Sequence, residues 1–308
     1  MISVRDLRVD YDDVCAVKDL SFEVPRGEIY GLIGPNGAGK TTTLRTMVGL
    51  IEPTYGTVLL NGIDLTTHRE DAVACVGFMP DFSPIYDDLT VYEFLDLFAS
   101  AYKLPMDSRP HLIHKYIDMV ELTEKRDALT AGLSRGMKQR LMLAKTLLPA
   151  PDIILLDEPA SGLDPHSRIL LKNILKQQGA EGKTIIISSH ILTELAEFCT
   201  SIGIMERGHM VTSGKVEEIG ARVFQEKHYL VEVLGEEERC AVLLASDIRL
   251  SKIEQQGKSF AFNFDGDEQQ AAALLKTLTV ADIPVIKFIR DVESLEDIFM
   301  QIGAREVA

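Results

Sequence analysis

The residues of this chain best suited to chemistry lie in two stretches more than a hundred positions apart. The first is Gly34-Pro-Asn36-Gly37-Ala38-Gly39-Lys40-Thr41-Thr42, and it follows the apolar run Ile29-Tyr-Gly-Leu-Ile33. Its G-x-x-x-x-G-K-[ST] spacing after a strand-like run is that of a phosphate-binding loop. Backbone N–H groups of such a loop curl around phosphate oxygens, and the helix that follows aims its positive end at them. The Lys40 ammonium is then placed for the β- and γ-phosphates, and the Thr41 hydroxyl for Mg²⁺. The second stretch is Ile153-Ile-Leu-Leu-Asp157-Glu158-Pro159. Four apolar residues predict a buried parallel strand whose C-terminal edge meets the ligand. There Asp157 can hold Mg²⁺, usually through water, and Glu158 can polarise an attacking water. No Asn-Lys-x-Asp guanine reader occurs in the chain, which favours ATP over GTP.

Between these stretches lies Leu133-Ser134-Arg135-Gly136-Met137-Lys138-Gln139-Arg140, leading into an amphipathic run that stops before Pro149. Ser134 suits the N-cap of a helix. A serine hydroxyl beside free N–H groups and a helix dipole forms an anion site, although a plain capped helix has the same sequence pattern.

In their order over residues 1–214 these elements resemble the ABC ATPases, the nucleotide-binding subunits of ABC transporters. Gly34 to Thr42 resemble Walker A, and Leu133 to Gln139 resemble the LSGGQ signature. Asp157 and Glu158 are similar to Walker B, with Ser161-Gly162-Leu163-Asp164 as the D-loop. Val76-Gly-Phe-Met-Pro80-Asp81 resembles the loop that normally ends in glutamine, Tyr11 the adenine-stacking aromatic, and Ser188-Ser189-His190 the histidine switch. The resemblance implies a P-loop α/β cassette with a mixed sheet and a helical subdomain. It also implies ATP and Mg²⁺ as cofactors and a head-to-tail dimer with two ATP molecules between the halves. Within it, Lys40, Glu158 and His190 carry hydrolysis, His190 at the γ-phosphate. Tyr11 and residues 36–42 hold the nucleotide, and Thr41, Asp157 and Asp81 attend the metal. Ser134 and Gly136 act on the nucleotide of the second chain, identical or related. The stretch from Asp81 to Leu97 is expected to face a separate multispan permease.

Three positions depart from that pattern. Asp81 stands where glutamine is usual, so it offers acceptor oxygens and a charge but no donor. Arg135 replaces a glycine and is expected to point to solvent, with an anion contact as the other possibility. Met137 removes a glutamine amide.

The elements that must position these groups follow from periodicity. A phosphate helix is expected over Lys40–Leu50, and hairpin turns at Thr54-Tyr-Gly56, Asn61-Gly62 and Glu206-Arg-Gly208. From 90 to 150 the pattern turns helical, with Thr90 as an N-cap and Tyr92, Phe94 and Phe98 in the core, and the resemblance implies a helical subdomain over about 84–150; parallel strands and helices resume over 151–212. Beyond residue 214 the alternation of 228–234, 247–253 and 258–264 predicts strands, 267–279 a helix and 284–289 a further strand. The domains expected are therefore 1–214 and a small α/β accessory domain over 215–308, whose close, Ser294 to Met300, resembles the branch serving exporter-type permeases.

Composition bounds the rest. The 308 residues are 46% hydrophobic and carry a net charge of −15. Acidic residues exceed basic ones 29 to 21 up to residue 214 and 18 to 11 beyond it, so neither part offers the clustered cations that nucleic acid needs. No run approaches the roughly 18 apolar residues of a membrane helix, and no signal peptide is apparent. Cys15, Cys75, Cys199 and Cys240 form no C-x-x-C pair, as expected of reduced cytosolic thiols with no metal site. The expectation is an ATPase subunit, peripheral on the cytoplasmic membrane face through its permease and working in export. The alternatives are an importer subunit, which shares every ATPase motif, and a soluble ABC ATPase. Against the last, the chain has one cassette rather than two and no long coiled-coil insertion.

Overall fold

The computed structural model describes residues 1–12, 14–81, 84–191, 195, 198–216, 218–219 and 227–291; the segment 294–300 singled out above lies outside them. The chain divides into two compact units, Met1–Val216 and Glu217–Ala308.

The first unit holds β1 (Ile2–Tyr11), β2 (Val14–Val24), β3 (Ile29–Ile33), α1 (Lys40–Met47), β4 (Tyr55–Leu60), β5 (Ile63–Asp64), α2 (Arg69–Ala74) and β6 (Val76–Met79). There follow α3 (Val91–Ala101), α4 (Arg109–Met119), α5 (Arg135–Leu147), β7 (Ile153–Leu156), α6 (Pro165–Ala180), β8 (Thr184–Ser189), β9 (Ser201–Glu206) and β10 (His209–Lys215). Among the described residues the strands form an antiparallel sheet in the order β2-β1-β4-β5 and a mixed sheet in the order β10-β9-β3-β8-β7-β6. In the second sheet β3, β6, β7, β8 and β9 run parallel, and β10 joins β9 antiparallel. The continuous apolar runs of β3 and β7 are buried along their whole length, as strands covered on both faces must be. Each such Ile or Leu contributes about 1.5–3 kcal/mol by leaving water. One hydrophobic cluster links the two sheets through Leu44 and Met47 of α1, packed among Ile2, Val4, Leu155 and Ile186. The helix carrying Lys40 and Thr41 is thereby anchored on its apolar face.

Helices α3, α4 and α5 occupy the stretch between β6 and β7. Thr90 caps α3 as expected: its hydroxyl accepts from the Glu93 N–H at 3.2 Å, and Glu93 Oε2 accepts from the Thr90 N–H at 2.8 Å. Phe94 is fully buried, while Tyr92 and Phe98 are half-buried.

The Asn61-Gly62 and Arg207-Gly208 turns join β4 to β5 and β9 to β10. The expected turn at Thr54–Gly56 is instead the beginning of β4. Gly56 serves a close approach there: a Cβ would lie 2.6 Å from the Leu7 Cα, beside an irregularity in β1. The phosphate helix ends at Met47, three residues short of the expected Leu50.

The second unit contains β11 (Lys227–Val233), α7 (Glu237–Ser246), β12 (Leu250–Gln256), β13 (Ser259–Phe264), α8 (Glu268–Val280) and β14 (Val285–Asp291). Its antiparallel sheet runs β12-β13-β11-β14, the βαββαβ arrangement of ferredoxin-like folds. Tyr229, Val231, Phe260, Phe262 and Phe264 pack there with Leu244 of α7 and Leu278 of α8. The strand expected over 247–253 starts at Leu250, and α7 was not expected at all. Glu236 precedes α7 with φ 60° and no side-chain cap, so the only start signal is the acidic pair Glu237 and Glu238 in the first turn.

Candidate nucleotide-binding and hydrolysis site

Four of the chemistry-bearing segments of the first unit leave the C-terminal ends of neighbouring parallel strands. Residues 34–39 follow β3, His190 follows β8, Asp157 follows β7 and Asp81 follows β6. That edge is where ligands bind in open α/β sheets.

The loop is shaped by exclusion of side chains. Gly39 has φ 103°, and a Cβ there would sit 2.6 Å from the Ala16 carbonyl oxygen; a Cβ on Gly34 would collide with the Met205 carbonyl. No side chain caps α1 and no acidic residue lies in its first turn. Its leading N–H groups are thus left for an anion. The Lys40 ammonium, nearly buried, donates to the carbonyls of Gly34 at 2.6 Å and Pro35 at 3.2 Å. It also lies 3.5 Å from Glu158 Oε1.

Asp157 is fully buried. Its Oδ1 accepts from Ser188 Oγ at 2.7 Å and from Thr41 Oγ1 at 3.1 Å. Burial pushes this carboxyl above its ordinary pKa; the two hydroxyl bonds oppose that rise, and the nearby charges of Asp81 and Glu158 add to it. Glu158 has a left-handed backbone, φ 48°, which costs a non-glycine residue about 1–2 kcal/mol. Its N–H donates to Ser188 Oγ at 2.9 Å, and its Oε2 lies 2.9 Å from His190 Nδ1. Ser188 therefore ties both carboxylate residues to β8. Sequence reasoning gave Ser188 no role of its own; the signal was the hydroxyl pair closing an otherwise aliphatic strand.

Two carboxylate oxygens in this cluster, Asp157 Oδ2 and Glu158 Oε1, are buried without a hydrogen-bond partner. Buried polar atoms are seldom left so. Among the described residues no three His, Cys, Asp or Glu side chains converge as a self-sufficient metal centre. Mg²⁺ does not require one, because it binds through one or two carboxylates together with substrate phosphates. The orphaned Asp157 oxygen beside the Thr41 hydroxyl fits that ion.

Of the other expected site residues, Asp81 is near enough for its charge to act on Asp157, whereas Ser134, Gly136 and Tyr11 make no hydrogen bond to this cluster. Ser134 caps α5, accepting from the Met137 N–H at 3.3 Å, and is exposed. Gly136 faces the start of α6, where a Cβ would lie 3.3 Å from Asp164 Oδ2. Asp81 is exposed and borders a cavity of about 760 Å³ with Asp87, Leu133, Arg135, Lys138 and Met142. Tyr11 lines a different cavity of about 520 Å³ with Arg45, Ile51, Phe78 and Lys145, which the phosphate loop does not border. Arg135, expected to point to solvent, is an exposed residue whose guanidinium nevertheless lies against Gly162: a Cβ at that glycine would be 2.7 Å from its Cζ.

Residues 17–161 match the ABC transporter family model, and residues 214–302 match the C-terminal domain of DrrA1-3-like ATP-binding proteins. The Nod factor export ATP-binding protein I of Ralstonia nicotianae is 34% identical over 313 residues, covering 100% of this chain and 95% of that protein. The chain belongs to the ATP-binding subunits of ABC transporters. The Nod factor export ATP-binding protein I of Rhizobium meliloti is 31% identical over 312 residues, 99% of this chain and 89% of that one. Among solved structures, an ATP-binding subunit of an ABC transporter superposes with TM-score 0.67 at 32% identity, over 72% of this chain and 92% of that chain. A dimeric bacterial ABC transporter cassette gives TM-score 0.65 at 25% identity, over 70% and 99%. As an ABC ATPase the chain binds and hydrolyses ATP. None of its described helices is long and apolar enough to cross a membrane.

Proposed function

We propose that this ABC ATPase drives export through a separate multispan permease, working as a head-to-tail pair with an identical or related subunit. The observation that carries the hydrolytic part is the chain from Thr41 through the buried Asp157 and Ser188 and then Glu158 to the exposed His190, closing on Lys40. In this reading the amides of residues 36–42 hold the phosphates and Tyr11 stacks on the adenine. Lys40 brings positive charge to the β- and γ-phosphates. Glu158 takes a proton from the attacking water, and His190 orients that carboxylate while contacting the γ-phosphate. Thr41, Asp157 and Asp81 hold Mg²⁺, which when bound neutralises phosphate charge. Ser134 and Gly136 meet the nucleotide of the second subunit, so loss of the γ-phosphate opens the pair and moves the permease.

Export is supported by the names of the full-length relatives and by the DrrA1-3-like C-terminal match. In this reading transport falls to the permease partner, and the chain works beside it on the cytoplasmic face. The cargo is the permease's choice, and the proposal carries none over from the relatives. The test is affinity purification of the Glu158→Gln chain with ATP in mild detergent, followed by mass spectrometry. Recovery of a multispan membrane protein is expected, and efflux by vesicles holding both proteins would fix the direction. Recovery of ribosomes, or of no membrane protein, would overturn the transporter reading.

A further inference from the structure

The loop after Glu158 touches the start of α5 at three places. Gln139 Nε2 donates to the Pro159 carbonyl at 3.2 Å. Gly136 approaches Asp164 and Ser167 so closely that a Cβ would stand 3.3 and 3.4 Å from their oxygens. The guanidinium of Arg135 covers Gly162, where a Cβ would meet Cζ at 2.7 Å, Nε at 2.9 Å and Nη1 at 3.0 Å. Gly162 has φ 70°, so both its conformation and this overlay call for glycine.

Two backbone hydrogen bonds run within the loop. The Ser161 N–H donates to the Glu158 carbonyl at 3.1 Å, and the Leu163 N–H to the Ala160 carbonyl at 3.2 Å. It begins at Glu158, whose backbone is itself in the left-handed region. Arg135 is poorly placed for the stability of α5. A cation in the first turn of a helix opposes the helix dipole. The guanidinium forms no hydrogen bond or ion pair with any described residue. Its guanidinium instead lies over Gly162.

We propose that Arg135 is a positioning residue for ATP hydrolysis: its guanidinium lies on Gly162 and fixes the loop from Glu158 to Leu163, and with it the Glu158 carboxylate, against the start of α5. The inference rests on the reading of Glu158 as the base. It makes the segment Ser134–Gly136 and the hydrolytic carboxylate of one chain a single mechanical piece, so that what binds at the first is felt at the second.

The experiment is steady-state ATPase and nucleotide binding on the full-length protein with Arg135→Ala, Arg135→Lys, Gly162→Ala and the Arg135→Ala/Gly162→Ala double variant. Arg135→Ala should lower kcat about tenfold, within the ~100-fold that misplacement by ~1 Å can cost. KM and the Kd for ATP should stay within about twofold, the pattern of an interaction made only in the transition state. Arg135→Lys should not restore kcat, because an ammonium keeps the charge and loses the plane. Gly162→Ala should also slow turnover, and the double variant should lose less than the product of the two single losses, because the added methyl gains room once the guanidinium is gone. An unchanged kcat in Arg135→Ala, a raised KM at full kcat, recovery by lysine, or independent multiplication would each overturn the inference. Glu158→Gln is run alongside. If that variant turns over normally, the base reading falls and takes this inference with it; if it is dead while Arg135→Ala is unaffected, only this inference falls.

Discussion

Two regions of this molecule are suited to phosphate, and they are built in opposite ways. Lys40, Thr41, Asp157, Glu158 and Ser188 converge from the ends of β3, β7 and β8, mostly buried and bonded to one another. Ser134 and Gly136 sit at the start of α5, where the Ser134 hydroxyl is exposed and bonds within its own helix. The first region is preorganised: its charges lie in low dielectric and need little rearrangement to act. In the second, Ser134 is exposed while Gly136 packs toward Asp164 and Ser167 of its own chain. That asymmetry is the one expected if, as proposed, the second region meets the nucleotide of another subunit.

The sharpest way to break the comparison is Glu158→Gln. Loss of a general base should lower kcat about 10²–10⁴-fold while ATP still binds. Phosphate release and nucleotide-binding fluorescence would read this, and turnover near the parent's would remove the buried cluster from the chemistry. Next is Ser188→Ala, which leaves the Glu158 N–H without its partner and Asp157 with one bond fewer. About 1–3 kcal/mol of stability should go, measurable by urea denaturation together with a weaker response to MgATP. A neutral result would mean that the carboxylates are not held by β8.

Ser134→Ala sharpens the other half. Loss of the cap should cost about 1 kcal/mol, and turnover should fall while single-chain ATP affinity is kept. If stability alone changes, the segment is a capped helix and nothing more. Thr90→Ala is the smallest, a capping-box control far from either region. It should cost about 0.5–1 kcal/mol in urea with turnover unaltered.

The phosphate loop, the β7 strand and the two Gly-containing hairpins were legible because each rests on a few consecutive residues: a glycine pattern, an apolar run, a turn pair. Thr90 was legible for the same reason, since a capping box is local. Helix α7 was not, because its start carries no cap and its polar face supplies no periodic contrast. Ser188 and the overlay of Arg135 on Gly162 were hidden for another reason. Neither side chain announces its partner, which arrives from another strand or loop.

What the sequence determined by itself is therefore the inventory of chemistry and its local scaffolds: a lysine and threonine opening a helix after glycine, a carboxylate pair closing an aliphatic strand, a serine capping α5. Tertiary structure alone decided that Thr41 and Asp157, 116 positions apart, would share a hydrogen bond. It decided as well that Glu158 would be held between Ser188, His190 and Lys40. Backbone conformation and periodicity are set by near neighbours along the chain. Convergence depends on the strand order β3-β8-β7-β6 and on burial that makes unpaired polar atoms costly, which no short window of sequence contains.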